Sequence, residues 1–553
     1  MAEAITEMII PGTYIEVRAE GLIGVSGIAT GNVGVVGTAS KGPIDEVQVL
    51  SSFSEARDIF GDYDSWVDGK SDELTLVRAL QQVFDNGGST IYAVRCADNT
   101  AAAASRTLLD SNGAVVTLTG KTNGSWAHDV TVKVNNASEN AFVEENKQIV
   151  TAGPTTQPLH KDIADSARNT IKVTKTATGQ TFRYSLKTSG QATAGKSVLV
   201  NPATGVITFH ADDVPAVGDT INASYEVNKS SCRDVVIKYK NLKEVYTVAD
   251  AKDLKRDINN SSRLVNATIA SGAETELPDV MPVALPLTGG ANGEAIKDYK
   301  TSLATLDNEP VNIVVLAGLS LKDAGAVLLA HLETTENNGK DRIGVVGADA
   351  DDVATVAANA DTISDDRLIL VAPGIKTQDL ASGAQVSLPA AYAAAAVAGL
   401  IASLAVQVSP TNKALKVSGL SYYYNDGELK KLLTNRVMAI ERKAGFRIVK
   451  GITTDNAAFR QVSVRRIVDY AKAGTRMGSN PYIGRLNNAR VRGALKATLN
   501  GFLSDMVLNE ALTEFTLDVT ATREQEIAGV ALVTMFLKPT FSIDYIKVIM
   551  NLS

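Results

Sequence analysis

TEFTLDVTATREQEIAGVALVTMFLKPTFSIDYIKVIMNLS, residues 513–553, is the most informative stretch of this sequence. Apolar and polar side chains alternate over residues 515–519, and this period of two predicts a half-buried strand. A second apolar run covers residues 530–536, and Pro539, which has no N–H for a ladder, marks a break or an edge after it. A third apolar run contains Ile543, Tyr545, Ile546, Val548 and Ile549. Such a segment either completes its own sheet or adds a strand to a sheet in another chain.

The N-terminal residues have a similar character. They form a short extended segment, interrupted by a turn signal at Pro11–Gly12, whose apolar members are Ile9, Ile10, Tyr14, Ile15 and Val17. Two adhesive extended segments, residues 1–22 and 536–553, predict arms that link one copy of the chain to another.

The composition limits the class of protein. A length of 553 residues implies several domains, because single hydrophobic cores stop growing near ~250–300 residues. Hydrophobic residues make up 45% and charged residues 21%, which is ordinary for a soluble globular protein. Two cysteines, Cys96 and Cys232, exclude a disulfide framework and a four-cysteine metal site. No basic segment followed by an apolar core is present at the N-terminus, so no secretion signal is expected.

Residues 390–408 are the one candidate for a membrane span, and they read AAYAAAAVAGLIASLAVQV. The stretch is long enough to cross a bilayer. It consists mostly of alanine, which gains little on transfer to lipid, and it contains Gly399, Ser403 and Gln407. We therefore predict a buried core helix and no membrane insertion.

The charge is unevenly distributed. Residues 430–496 contain sixteen Lys or Arg and three acids, so they carry +13, whereas the whole chain carries −7. A helix around residues 457–471 would place an apolar face opposite a basic face that contains Arg465, Arg466, Lys472 and Arg476. Contact with an acidic protein surface is one interpretation of this pattern. Binding to nucleic acid and a merely solvated face are the alternatives.

The order of predicted elements changes twice along the chain. A small mixed α/β unit ends near Asp98. From residue 113 to residue 271 the sequence contains many short strands with turn signals between them, which is typical of antiparallel sheet. From residue 311 onward strands alternate with helices, and this alternation predicts a mostly parallel sheet.

Residues that could carry chemistry are few. Gly31, Gly34 and Gly37 do not have the spacing of a phosphate-binding loop. Three of the four histidines lie in the predicted β insertion, and only His331 lies in the later α/β segment. A hydrolase needs a nucleophile, a base and a residue that orients the base. No paired His or Cys motif indicates a zinc site. We therefore expect no catalytic residue, no cofactor and no metal, with a hydrolase that uses His331 as the alternative.

Several motifs together resemble one family, the contractile-tail sheath proteins of bacteriophages, which also occur in phage-tail-like bacteriocins and injection systems. The resemblance rests on GVVGTASKGP at residues 34–43, NGGSTIYAVR at 86–95, LTGGANG at 287–293, and NPYI at 480–483 followed by GFL at 501–503. Each motif is modest alone, but their order and spacing are specific.

The resemblance implies a multidomain α/β and β fold. Residues 23–105 would begin a mixed α/β core, and residues 106–285 would form an inserted outer β domain in which 151–230 is a candidate nested β-sandwich. Residues 286–430 would form an α/β domain that is subtilisin-like in fold only. Residues 431–535 would form a C-terminal core domain that faces a tail tube, with Arg465, Arg466, Lys472 and Arg476 on that face.

The implied function is structural. Such subunits polymerise as stacked hexameric rings around a tail tube and contract to drive the tube through a cell envelope. The implied partners are further copies of the chain, the tail tube protein, and the baseplate and tail terminator proteins. Neither a small-molecule substrate nor direct contact with nucleic acid is implied. The implied location is the virion tail, assembled in the cytoplasm of a bacterial host. A hydrolase and a nucleic-acid-binding structural protein stay open as alternatives.

Overall fold

The computed structural model describes residues 27–66, 74–150, 153, 155, 158–293 and 299–551. The described residues form two compact units, the first from residues before 98 and after 294, and the second from the residues between them. The predicted N-terminal arm residues, Ile9, Ile10, Tyr14, Ile15 and Val17, lie outside the described residues.

The first unit begins with a β–α–β segment. Its elements are β1 (Val33–Gly37), β2 (Val47–Leu50), α1 (Phe53–Phe60), α2 (Leu76–Asp85) and β3 (Ile91–Arg95). Ser52 caps α1 by accepting a hydrogen bond from the backbone N–H of Glu55, as its position three residues before a glutamate predicts.

The second unit consists mainly of strands. Its elements are β4 (Ser105–Asp110), β5 (Gly113–Gly120), β6 (Thr131–Asn136), β7 (Ala141–Gln148), β8 (Thr170–Thr174), β9 (Thr181–Lys187), β10 (Ser197–Val200), β11 (Ile207–Thr208), β12 (Thr220–Val227), β13 (Arg233–Tyr239), β14 (Leu242–Val248), α3 (Ala251–Ser261), β15 (Val265–Ile269) and β16 (Leu285–Pro286).

The chain then returns to the first unit. The α/β elements that follow are α4 (Lys300–Ala304), β17 (Ile313–Leu316), α5 (Leu321–Asn337), β18 (Ile343–Gly347), α6 (Val353–Asp361), β19 (Leu368–Ala372), β20 (Ile375–Gln378), β21 (Gln385–Leu388), α7 (Ala390–Ser403), β22 (Ala414–Leu415), β23 (Gly419–Leu420), α8 (Asp426–Thr434), β24 (Met438–Arg442) and β25 (Phe446–Ile448). The C-terminal elements are α9 (Val462–Ser479), α10 (Ala489–Leu508), β26 (Leu512–Thr520), α11 (Arg523–Ile527) and β27 (Leu532–Pro539).

One nine-stranded sheet organises the first unit, in the order β2-β3-β1-β17-β18-β19-β24-β25-β22. The six strands from β3 to β24 run parallel, which confirms the prediction of a mostly parallel sheet. Strands β2, β25 and β22 add antiparallel edges. The sequence divided these residues among three domains, at 23–105, 286–430 and 431–535. Strand β1 is buried on both faces and pairs directly with β17, so the first two of these ranges contribute strands to one sheet.

Helices cover both faces of this sheet. Alternate residues of the central strands contribute to two separate cores, one packed against α2 and α7 and the other against α4, α5, α6 and α8. Helix α7 is buried along residues 390–401, so the prediction of a buried core helix is confirmed. A Cβ atom at Gly399 would overlap the backbone of Val83 in α2, and this close approach explains the small side chains of α7. No described helix combines the length and the apolar character that a membrane span requires.

Three sheets make up the second unit. The six-stranded sheet has the order β11-β10-β9-β8-β12-β7, and the other two are β14-β13-β6-β16 and β15-β5-β4. The pairing is antiparallel as predicted, except that β9 and β10 pair in parallel. The strands between residues 141 and 227, which include the candidate nested sandwich at 151–230, form this one six-stranded sheet. Helix α3 was not predicted, although Asp250 caps it by accepting a hydrogen bond from the N–H of Asp253.

Candidate functional site

The hairpin formed by β26 and β27 lies on the C-terminal helices. The strands pair antiparallel, with Phe515 opposite Leu537 and Leu517 opposite Met535. These four side chains are partly buried against the cluster formed by Ile467 of α9 and other apolar residues of α9 and α10. Within the described residues, neither strand pairs with a third, so both outer edges of the hairpin are open. Open edges present unpaired backbone N–H and C=O groups that can bind a further strand.

Residues 540–551, here called the C-terminal arm, follow the hairpin without forming a helix or a strand. The sequence predicted a segment that completes a sheet in its own chain or in another chain. Within the single chain this segment pairs with no described strand. Its predicted linking residues are between 71% and 82% exposed; they are Ile543, Tyr545, Ile546, Val548 and Ile549. A contiguous apolar patch of this kind marks an interaction surface.

Polar contacts fix the start of the arm to the first unit. Lys450 Nζ lies 3.1 Å from Asp544 Oδ2 and 3.3 Å from the hydroxyl of Tyr545. Gln461 donates to Asp544 Oδ2 and accepts a hydrogen bond from the backbone N–H of Ser542. The Lys450 and Asp544 side chains are mostly buried, so their ion pair is less screened by solvent than a surface pair. The arm therefore leaves the molecule from a defined point, and the side chains beyond Tyr545 extend into solvent.

A buried charge network holds α9 against the parallel sheet. Its centre is Arg367, which is buried just before β19 and contacts three carboxylates. The guanidinium nitrogens lie 2.6 Å from Glu336 Oε1, 2.9 Å from Asp341 Oδ1 and 2.9 Å from Asp469 Oδ2. Because Asp469 belongs to α9, this arginine connects the C-terminal helices to the core of the unit.

The residues of the predicted tube-facing basic surface form ion pairs and hydrogen bonds within the chain. Arg465 and Arg466 are only 4% and 6% exposed. Arg465 pairs with Asp366 and Asp469. Arg466 donates to three backbone carbonyl oxygens, those of Thr30, Leu404 and Ala405.

The other two residues of that predicted surface are also engaged. Lys472 pairs with Glu336 and Asp341, and Arg476 lies 2.6 Å from Asp341 Oδ2. Glu336, Asp341 and Asp366 lie far earlier in the sequence. The net charge counted over residues 430–496 therefore does not include them. The positive charge of this helix is therefore largely neutralised by acids of the same chain.

The network makes stability depend on pH at the acidic end. Hydrogen bonding from Arg367 lowers the pKa of Glu336 to about 2, from an ordinary value of 4.5. A carboxyl with a lowered folded-state pKa contributes stability that is fully present above the unfolded value and is lost as the pH falls toward the folded value. We therefore expect the Tm to fall between pH 4.5 and pH 2, and to fall less in Glu336→Gln. Calorimetry of both proteins at three pH values tests this; parallel curves would contradict it.

His331 is not free to act as a general base, because its Nε2 lone pair already accepts a hydrogen bond. It is buried in α5, where Nε2 accepts a hydrogen bond from Arg342 at 2.9 Å and Nδ1 lies 3.3 Å from Asp307. Burial and the charge of Arg342 lower its pKa to about 4. A cavity of about 340 Å³ adjoins the ring, and no serine is among its described lining residues. The hydrolase alternative therefore gains no support from this part of the chain.

The fold and the exposed arm together define a class of protein. The described residues combine a large, well-packed core with an anchored apolar arm and an open-edged hairpin. This combination is typical of a structural subunit that joins with other chains.

Comparison with known proteins identifies the family. A model of the phage tail sheath protein central domain matches residues 292–454, and a model of the phage tail sheath C-terminal domain matches residues 454–553. The tail sheath protein of Bacillus phage SP01 is 23% identical over 538 residues, which cover 90% of this chain and 88% of that protein. This chain belongs to the phage tail sheath protein family and is a structural subunit of a contractile tail sheath, as the motifs predicted.

Two solved structures share the fold. A sheath tail protein from Listeria innocua has a TM-score of 0.59 at 14% identity, covering 94% of this chain and 93% of that chain. A sheath tail protein from Desulfitobacterium hafniense has a TM-score of 0.57 at 15% identity, covering 96% of this chain and 100% of that chain. The similarity supports the mixed α/β multidomain architecture described above.

Proposed function

We propose that the C-terminal arm adds a strand to the β26–β27 hairpin of a neighbouring subunit and so links copies of the chain into a sheath lattice. The observation that carries the proposal is the combination of exposed apolar residues at 540–551 with a hairpin whose edges are open. Strand addition satisfies both, because it pairs the free backbone groups and removes the apolar side chains from water.

The pattern of the arm suits a strand that is covered on both faces. In an extended conformation Ile546, Val548 and Met550 share one face, while Tyr545 and Ile549 share the other. Each added main-chain hydrogen bond contributes about 1 kcal/mol net. Burial of the apolar side chains contributes about 25 cal/mol per Å². Repeated at every subunit, such joints hold a polymer together without covalent links.

The wider assembly is also part of the proposal. Subunits would stack as hexameric rings around a tail tube in a virion tail, contact the baseplate and terminator proteins at the two ends, and assemble in the host cytoplasm. Contraction would drive the tube through the target envelope. The parallel strands β17, β18 and β19 with helices on both faces support a subtilisin-like fold for residues 286–430. No catalytic step is assigned.

Charge substitutions in the arm test the proposal. We expect Ile546→Asp combined with Val548→Asp to abolish sheath-like polymers, because carboxylates cannot be buried in the added strand without a large desolvation penalty. The matched control is Leu109→Asp, which charges an exposed apolar side chain of the second unit and should leave assembly intact. Negative-stain microscopy of purified proteins is the measurement. Polymers formed equally by the doubly substituted chain would overturn the proposal.

A further inference from the structure

Three potential metal ligands meet in the second unit. They are His160, which precedes β8, Asp250, which caps α3, and Asp253, which lies in the first turn of that helix. One donor atom from each residue lies within 4.8 Å of the other two. Both aspartates are nearly inaccessible, at 3% and 4% exposed. Buried carboxylates are paired with cations or coordinate metals.

The hydrogen bonds around the imidazole assign its donor and acceptor atoms. The hydroxyl of Tyr225 donates to Glu145 Oε2 at 2.9 Å, so its one proton is already used. His160 Nδ1 lies 2.7 Å from the same hydroxyl oxygen and must therefore donate to it. In a neutral ring Nε2 then carries a lone pair, and it faces Asp250 Oδ2 at 2.9 Å. Two lone pairs at this distance require a cation, which is either a proton on Nε2 or a metal ion.

Asp253 points to a metal ion rather than a proton alone. Its Oδ1 lies 2.8 Å from Arg256, whereas its buried Oδ2 has no hydrogen-bond partner among the described residues. An unpaired buried carboxylate oxygen is costly. A proton on His160 satisfies Asp250 but leaves this oxygen without a partner.

The surroundings allow a cation to enter and orient its ligands. A cavity of about 580 Å³ adjoins the cluster, with Glu145, His160 and Asp250 in its lining. The Tyr225–Glu145 pair fixes the imidazole through Nδ1, which is the usual role of an outer-shell partner for a metal-binding histidine. Two tetrahedral ligands bound at about 2.1 Å lie about 3.4 Å apart, so Nε2 and Oδ2, which are 2.9 Å apart, would separate by about 0.5 Å to bind zinc.

We propose that His160, Asp250 and Asp253 bind a divalent transition-metal cation of the zinc and manganese class. One imidazole nitrogen with carboxylate oxygens suits these ions, and the nitrogen disfavours calcium. The bound ion joins the loop at residue 160 to helix α3, and so braces the inserted unit. No sequence motif indicates this site, because metal-binding motifs consist of closely spaced His and Cys residues. Here His160 lies 90 residues before Asp250, and the other two ligands are aspartates.

Calorimetric titration of the metal-free full-length chain with zinc chloride at pH 7 tests the proposal. We expect about one equivalent to bind, and His160→Gln and Asp253→Asn each to weaken binding at least tenfold. The matched control is His210→Gln, since His210 also lies beside an aspartate, Asp212 at 3.3 Å, but at an exposed position. Its zinc affinity should equal that of the unsubstituted chain.

A second measurement does not depend on any variant. X-ray absorption of the zinc-loaded, unsubstituted chain should show nitrogen and oxygen ligands with one imidazole. Absence of zinc binding, unchanged binding in both site variants, or sulfur ligation by Cys232 would each overturn the proposal. The first of these outcomes would mean that a proton on His160 is the cation of this site.

Discussion

A chain that ends at Pro539 should fold normally and fail to assemble. Residues 540–551 contribute no residue to the buried cores, so their removal leaves the nine-stranded sheet and the hairpin intact. The truncated subunit keeps the hairpin that accepts a strand but has no arm to donate. We expect loss of polymers at concentrations at which the full chain forms them, since every joint in the lattice lacks one partner.

Mixing distinguishes this mechanism from a general loss of stability. A truncated subunit that accepts an arm should still join the end of a growing polymer and should stop its growth there. Adding it at about one part in ten should therefore shorten full-chain polymers, as measured by negative-stain microscopy. The control is an equal amount of a chain that carries both Ile546→Asp and Phe536→Pro. The first substitution prevents its arm from adding to a neighbour, and the second disrupts its hairpin edge, so this chain can neither donate nor accept a strand. If the truncated chain assembles alone, the arm is not the link.

Replacing the central arginine of the charge network should have the largest effect on stability. Arg367→Met keeps the apolar length of the side chain but leaves three carboxylates without their shared partner. Removing one member of a buried ion pair costs about 3–5 kcal/mol. Lys472 and Arg465 still neutralise part of the charge, so the lower end of this range is expected.

Chemical denaturation measures this effect, with an exposed pair as the control. Lys538 and Glu514 lie 3.0 Å apart on the hairpin, and their side chains are 65% and 70% exposed. Lys538→Met should change stability by less than about 1 kcal/mol, because solvent screens such a pair. Equal shifts of the denaturation midpoint in Arg367→Met and Lys538→Met would contradict the central role of Arg367.

Periodicity was the reliable guide to local structure. The alternation at residues 515–519 and the apolar run at 530–536 predicted the two strands that pair as β26 and β27. The alanine content of residues 390–408 predicted a buried helix, which the close contact with α2 explains. Both predictions depend on neighbours in sequence, where the spacing of side chains directly reports which face is buried.

Interactions between distant residues could not be predicted in the same way. The basic segment appeared to form a charged face because its partners, such as Asp341 and Asp366, lie on other elements of the fold. The fixing of the arm by Lys450 and the meeting of His160 with Asp250 depend equally on tertiary contacts. One signal was present in the sequence: Asp544 is a single acid within an apolar run, and such an acid requires a partner.

The most direct test of the account is a cryo-electron microscopy map of the assembled full-length chain, at a resolution that traces residues 540–551. We predict that the arm of each subunit lies as an added strand against the β26–β27 hairpin of a neighbour, with Ile546 and Val548 buried. An arm that folds back onto the hairpin of its own subunit, or that stays exposed in the polymer, would contradict the claim that this segment links the sheath.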